Sequence, residues 1–158
     1  NIFIPNTIKK VIGFDFFEDY ECKNSSLNSY YNECDVGIND GIKKEELEKI
    51  LNSIDKNNNS YKLIKGNIFN TIPKFLKENP GFRISYINFD LDIEEPTIFA
   101  LEQLYSRIVR GGIMVFDEYA CHNWSESNAV DKFIENHREL EIKTVHWANT
   151  PSAYIIKN

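Results

Sequence analysis

Four short apolar runs in this sequence each end on an acid or an amide. Val11 to Phe14 leads into Asp15, Tyr61 to Lys65 into Gly66-Asn67, Ile84 to Phe89 into Asp90-Leu91-Asp92, and Gly112 to Phe116 into Asp117-Glu118. Neighbouring parallel strands lie about 5 Å apart. If these runs are such strands, Asp90, Asp92, Asp117 and Glu118 gather on one rim, where open α/β sheets bind their ligands. Carboxylates held that close repel, and at least one would have a raised pKa. A hard divalent cation such as Mg²⁺ prefers oxygen ligands and relieves the repulsion. Each acid taken singly can equally be a helix cap or a first-turn acid favoured by the helix dipole. The set of four fits a metal site better.

The elements that would position these residues follow from periodicity. Besides the four runs above, Ile142 to Trp147 and Ala153 to Lys157 read as a fifth and a sixth strand. Helical spacing covers Lys43 to Ile54, with Leu47, Ile50, Leu51 and Ile54 on one stripe. It also covers Thr71 to Glu78, with Pro73 in its first turn, and Asn128 to Leu140. Pro96 to Val109 reads as a helix with Pro at its start and Gly111 just past its end. Strands alternating with helices predict a mostly parallel sheet covered on both faces. Only Ala148 to Ser152 separates the last two strands, which allows a hairpin and excludes a helical crossover. The last strand is therefore expected to be antiparallel. Residues 18–42 show no regular pattern and carry Tyr20, Tyr30 and Tyr31. A substrate lid and a plain surface loop both fit this insertion.

Size and composition narrow the partners. The 158 residues suffice for one domain with a core. No apolar run approaches the ~20 residues of a membrane helix. A net charge of -6, with lysines interleaved among acids and neutral residues, argues against nucleic acid. A small molecule or a glycan is the expected partner, and a homo-oligomer is compatible with it. Three cysteines, Cys22, Cys34 and Cys121, an odd count without paired or CxxC spacing, argue against a disulfide framework and against zinc, and point to reduced thiols in a cytoplasmic protein.

Five segments, in order, resemble blocks of the macrocin O-methyltransferase-like family. Ile87-Asn88-Phe89-Asp90-Leu91-Asp92-Ile93-Glu94-Glu95-Pro96-Thr97 is similar to its hxDxDxYxPT block. Gly111-Gly112-Ile113-Met114-Val115-Phe116-Asp117-Glu118-Tyr119 is similar to its GGxxxxDDY block. Val11 to Glu18 resembles xxGFDTFEG, Lys65 to Pro73 resembles xGDxxDTLP, and Ala129 to Phe133 resembles AVDEF. The resemblance implies a Rossmann-like class I methyltransferase fold, S-adenosylmethionine and Mg²⁺ as cofactors, and a sugar hydroxyl as methyl acceptor. It implies Asp90, Asp117 and Glu118 as metal ligands and Asp92 as general base. Asp15 would bind the cofactor ribose and Asn67 would sit by the adenine.

The sequence departs from the family pattern in places. Glu118 stands where Asp is common, Asn67 replaces an Asp, and Glu94-Glu95 replaces an aromatic position. No Gly-rich turn for the methionine part of the cofactor precedes Val11. The chain is therefore expected to be an N-terminally truncated methyltransferase domain, lacking that turn and the strand before it. His122 is the rival base, with a surface loop histidine as its plainer explanation. Trp124 can stack on a sugar or simply pack. Two other functions use the same acids: a Mg²⁺-dependent phosphotransferase or hydrolase, and a non-catalytic binding domain. The first calls for a phosphate-binding Gly-rich loop or a nucleophilic Asp with a Lys partner, and neither is in the sequence.

Overall fold

The structure is a computed structural model that describes residues 9–17, 42–55, 60–120 and 126–158. The chain divides into two compact units, Asn1–Thr71 and Ile72–Asn158. Among the described residues no helix is long and apolar enough to cross a membrane. The expected insertion at residues 18–42 falls, except for Ile42, outside the described residues.

In the first unit, β1 (Val11–Asp15) pairs in parallel with β2 (Tyr61–Lys65), in a register that sets Asp15 opposite Lys65. Helix α1 (Lys44–Ile54) lies between them in sequence, as a parallel connection requires. Glu45 and Glu46 occupy its first turn, where the helix dipole favours acids. Its apolar stripe is only partly covered. Leu47 and Leu51 are half-buried, whereas Ile50 and Ile54 are exposed.

Helix α2 (Ile68–Glu78) crosses the boundary between the units. It begins three residues before the expected start at Thr71, which moves Pro73 out of the first turn and into the second.

The second unit holds a four-stranded sheet in the order β3-β4-β6-β5. Strands β3 (Ile84–Phe89) and β4 (Ile108–Phe116) are parallel. Strand β6 (Ala153–Ile156) is antiparallel to both β4 and β5 (Ile142–Thr144), as the short linker predicts. Helix α3 (Glu94–Leu104) connects β3 to β4, and α4 (Glu126–Asn136) connects β4 to β5. Leu101 and Leu104 of α3, Val130 and Phe133 of α4, and Met114 and Ile155 of the sheet are all buried, and form the core.

The helix expected at Pro96 to Val109 is shorter and starts earlier. It ends at Leu104, a 3-10 turn follows at Tyr105–Arg107, and Ile108 already belongs to β4. Gly111 is therefore not the residue past a helix end. Ile84 pairs with Ile108 and Tyr86 with Ile113, so β4 carries surplus residues against β3. Gly111, at φ 77°, takes up part of this bulge and donates its N–H to the Lys157 carbonyl at 2.6 Å. Lys157 in turn caps the 3-10 turn, its Nζ donating to the carbonyls of Tyr105 at 2.9 Å and Ile108 at 3.0 Å. The last helix likewise starts at Glu126 rather than Asn128 and ends at Asn136 rather than Leu140. Strand β5 stops at Thr144, leaving Trp147 in a loop and 89% exposed.

Gly112 tolerates no side chain. A Cβ there would sit 2.8 Å from the Val109 carbonyl oxygen and 2.7 Å from the Ile108 Cγ2. Gly112→Ala should destabilise the chain by about 1–3 kcal/mol, the usual range for overpacking. Gly111→Ala meets no atom within 4 Å and should cost only the strain of its backbone conformation. Urea unfolding of the two variants should rank Gly112→Ala as the more damaging.

Candidate active site

The floor of the candidate site is a pair of stacked rings. Phe89 ends β3 and Phe116 ends β4, and their ring centroids lie 5.4 Å apart at an interplanar angle of 16°. Both are buried, and they are register partners. Asp90 and Asp117 are the next residues on each strand. The ladder carries on past the strand ends, because the Asp117 N–H donates to the Phe89 carbonyl at 3.1 Å. The two aspartates thus leave the sheet side by side. The loop between β5 and β6 closes on the same rim, where the Ser152 N–H reaches the carbonyls of Phe116 and Asp117, each at 3.1 Å.

Asp92 sits in a tight turn between β3 and α3. The Ile93 N–H donates to the Leu91 carbonyl at 2.6 Å, and Asp92, the central residue, has φ 59°. This is a γ-turn with positive φ, a rare and strained form. Such strain costs on the order of 1–3 kcal/mol and clusters at functional sites. Burial pushes the Asp92 carboxyl above the usual range, the neighbouring Asp117 charge adds to the rise, and a hydrogen bond with Glu118 partly offsets it. Asp92, Asp117 and Glu118 therefore feel one another directly.

A fifth acid, absent from the sequence expectations, belongs to this group. Glu126 in the first turn of α4 is fully buried at 0% exposure. Its Oε1 accepts the Glu118 N–H at 3.2 Å. Its Oε2 is buried and has no hydrogen-bond partner among the described residues. Burial raises its pKa to about 7; the Glu118 N–H lowers it, while the charges of Asp90, Asp92 and Glu118 raise it. Starting the helix at Asn128 leaves Glu126 in a loop, which hides it. The available signal was an acid closely following the acid-bearing strand end and preceding a helical pattern.

Helix α4 holds the acid-bearing loop at two further points. The Ala120 N–H donates to Ser127 Oγ at 2.8 Å, and the Tyr119 hydroxyl donates to Asp131 Oδ1 at 2.7 Å. The Tyr119 phenol is pushed up to about 12 by burial and then by Asp131. Ala120 itself has φ 60°. Glu94 at the start of α3 pairs with Lys132 of α4, so the two helices that frame the rim are also tied.

Two of the residues expected to bind the cofactor, Asp15 and Asn67, lie in the first unit. Asp15 ends β1 and its Oδ1 accepts the Phe17 N–H at 2.9 Å. The Gly66 N–H donates to the Asp15 carbonyl at 2.9 Å, which brings the loop after β2 alongside. Asn67 is the N-cap of α2, with its Oδ1 accepting the Phe69 N–H at 2.9 Å. Both side-chain oxygens thus shape their own loops. His122 and Trp124 lie outside the described residues. His137 packs against the rings of Tyr105 and Phe133, which makes it structural.

Oxygen-only donors suit a hard cation such as Mg²⁺. Glu126 Oε2 is buried without a hydrogen-bond partner among the described residues, and the charges of Asp90, Asp92 and Glu118 help to raise the pKa of its carboxyl. Among the described residues no three or more His, Cys, Asp or Glu side chains stand arranged to hold a metal ion. Asp90 and Asp117 follow the ends of neighbouring strands, but their side chains and those of Glu118 and Glu126 do not form a coordination shell.

The sequence profile of the family described as Macrocin-O-methyltransferase (TylF) matches residues 5–150. The chain belongs to this family. Solved structures show the same class I methyltransferase fold. CalS11, described as a TDP-rhamnose 3'-O-methyltransferase of calicheamicin biosynthesis, superposes with a TM-score of 0.69 at 23% identity, over 94% of this chain and 58% of its own. The O-methyltransferase NovP superposes with a TM-score of 0.72 at 18% identity, over 94% of this chain and 60% of its own. An O-methyltransferase from Bacillus cereus, solved in complex with SAH, gives 0.55 at 9% identity, over 94% of this chain and 72% of its own. This member of the family thus spans about three fifths of the length of CalS11 and NovP. No curated protein sequence matches it.

The buried Glu126 carboxyl predicts an unusual pH dependence of stability without metal. A folded-state pKa of about 7 against an ordinary 4.5 means that the native chain holds the extra proton. Stability contributed by the protonated group is present below pH 4.5 and is lost as pH rises toward 7. The loss is at most about 3 kcal/mol. Glu126→Gln keeps an oxygen for the Glu118 N–H and removes the titration. In the presence of a chelator, urea unfolding at pH 5 and pH 8 should show the wild-type chain losing more stability than Glu126→Gln. Equal losses would assign the burial cost elsewhere.

Proposed function

We propose that this chain serves S-adenosylmethionine-dependent methylation of a hydroxyl on a sugar or glycosylated small molecule, with Mg²⁺ assistance. The observation that carries the proposal is the acid rim: Asp90 and Asp117 leaving neighbouring strands together, with Asp92 held beside them in a strained turn. Family membership supports it, as does the fold shared with CalS11 and with the SAH-bound Bacillus cereus enzyme.

Asp90, Asp117 and Glu118 would hold the cation. Bound there, it would lower the pKa of the acceptor hydroxyl and orient its oxygen. Asp92 would accept the hydroxyl proton on a carboxylate oxygen as the oxygen–methyl bond forms and the methyl–sulfur bond breaks. Burial raises its pKa, which makes the carboxylate a stronger proton acceptor than an exposed aspartate. The γ-turn sets the Asp92 backbone apart from the extended strand that ends at Phe89. Asp15 would bind the cofactor ribose, and Asn67 would offer its side-chain NH₂ near the adenine while its oxygen caps α2.

Substituting the two aspartates of the loop separates their roles. Asn tolerates positive φ, so Asp92→Asn removes the charge and leaves the turn intact. It should retain Mg²⁺ and S-adenosylhomocysteine affinity and lower methyl transfer by roughly 10²–10⁴-fold, the usual worth of a general base. Asp90→Asn should lose Mg²⁺ affinity and activity together. Calorimetry beside a methyl-transfer assay reads both. A fully active Asp92→Asn would remove the base assignment and pass it to His122.

A further inference from the structure

Trp147 is the most exposed large apolar side chain among the described residues, at 89%. An indole is one of the largest apolar surfaces a fold can bury, and here that gain is forgone. The loop that carries it is nevertheless held at its foot. The Val145 N–H donates to the Ser152 carbonyl at 2.9 Å, and the Ser152 N–H reaches the carbonyls of Phe116 and Asp117. Strand β6 runs antiparallel to β4 and sets Ala153 opposite Phe116, so residues 146–151 lie past the carboxyl end of β4. They belong to the rim on which Asp117 follows β4 and Asp90 follows β3. Side chains that contact ligands are commonly carried this way, on a loop positioned by a rigid sheet.

The chemistry of the rim selects the occupant. Asp90, Asp92, Asp117 and Glu118 offer carboxylate oxygens, and the β5–β6 loop adds an open aromatic surface. A purely apolar ligand would leave the acids unanswered, and a small polar one would make no use of the indole. A sugar ring has both surfaces: hydroxyls that donate to carboxylates, and a face of C–H bonds that can lie flat on an indole. We propose that Trp147 is a specificity-determining residue for the methyl acceptor, an aromatic platform for the apolar face of a sugar ring whose hydroxyls face the acid rim. This rests on the sugar-hydroxyl acceptor of the preceding subsection and does not depend on a bound cation. Trp147 touches the part of the ring that does not react. It holds substrate and transition state alike, so its loss acts on KM and spares kcat.

Methyl α-rhamnoside and methyl α-glucoside serve as acceptor probes for the wild-type chain, Trp147→Phe and Trp147→Ala, with S-adenosylmethionine as methyl donor. Trp147→Ala should raise KM for the accepted glycoside by roughly 3–10-fold, the worth of one aromatic stacking contact, with kcat and S-adenosylhomocysteine affinity little changed. Trp147→Phe should recover part of the loss. The fluorescence difference between wild type and Trp147→Phe isolates the Trp147 emission, and its quenching by acrylamide should fall as the glycoside saturates. An unchanged KM in Trp147→Ala, or a lower kcat at unchanged KM, would overturn the proposal and leave the methyltransferase reading standing. If neither glycoside is methylated, the sugar-acceptor reading falls and this proposal with it. Protection of Trp147 that grows with protein concentration and ignores the glycoside would overturn it in favour of a contact between copies of the chain. If Trp147→Ala does not fold, the quenching measurement decides: protection by the glycoside sustains the proposal, and unchanged quenching overturns it.

Discussion

The parallel pairing of β3 with β4, in the register that sets Phe89 opposite Phe116, is the constraint on which the candidate site depends. A one-residue slip in a strand exchanges its two faces. It would take Phe89 off the stacked pair and swing Asp90 away from Asp117. The register is held at both ends. At the carboxyl end the rings stack and the Asp117 N–H closes on the Phe89 carbonyl. At the other end Ile84 meets Ile108, and the bulge at Gly111 and Gly112 absorbs the surplus residues of β4. The glycines therefore serve the acids at a distance, by letting β4 come back into register before it reaches them.

The rim concentrates features that a fold built for stability alone would avoid. Asp92 occupies a strained backbone conformation, Ala120 another, and Glu126 is a carboxylate with no exposure. Local exceptions of this kind are expected where function overrides local preference. Ordinary structure stands beside them: α3 packs against α4, and the Glu94–Lys132 pair ties the two helices.

Much of this was legible in the sequence. Asp90 and Asp117 could be placed because a strand ends where its apolar run ends. The direction of β6 followed from a linker too short for a helix. What escaped had physical causes. Gly111 reads as a helix stop, since a glycine after an apolar helical stripe has the same composition as a glycine at a strand bulge. Ile108 and Val109 then fall to the helix by periodicity, although both are β-branched. The turn at Asp92 leaves no mark, because Asp is common in loops of many shapes. Asn67 reads from the sequence only as a candidate ligand contact, because a helix start set at Thr71, three residues after the true start of α2 at Ile68, hides its cap. Glu126 was hidden because its burial depends on residues distant in sequence.

The three contacts from α4 to residues 118–120 make the helix and the acid loop one thermodynamic unit. Energetic coupling of this kind is reciprocal. Whatever immobilises the loop must also resist fraying of the helix's first turns, and whatever loosens the helix must blur the loop. Amide exchange would see this as shared protection: the N–H groups of Glu118 and Ala120, both bonded to α4 side chains, would open together with the helix that carries their acceptors. A molecule that pressed on the outer face of α4 could thus change the acids without touching them.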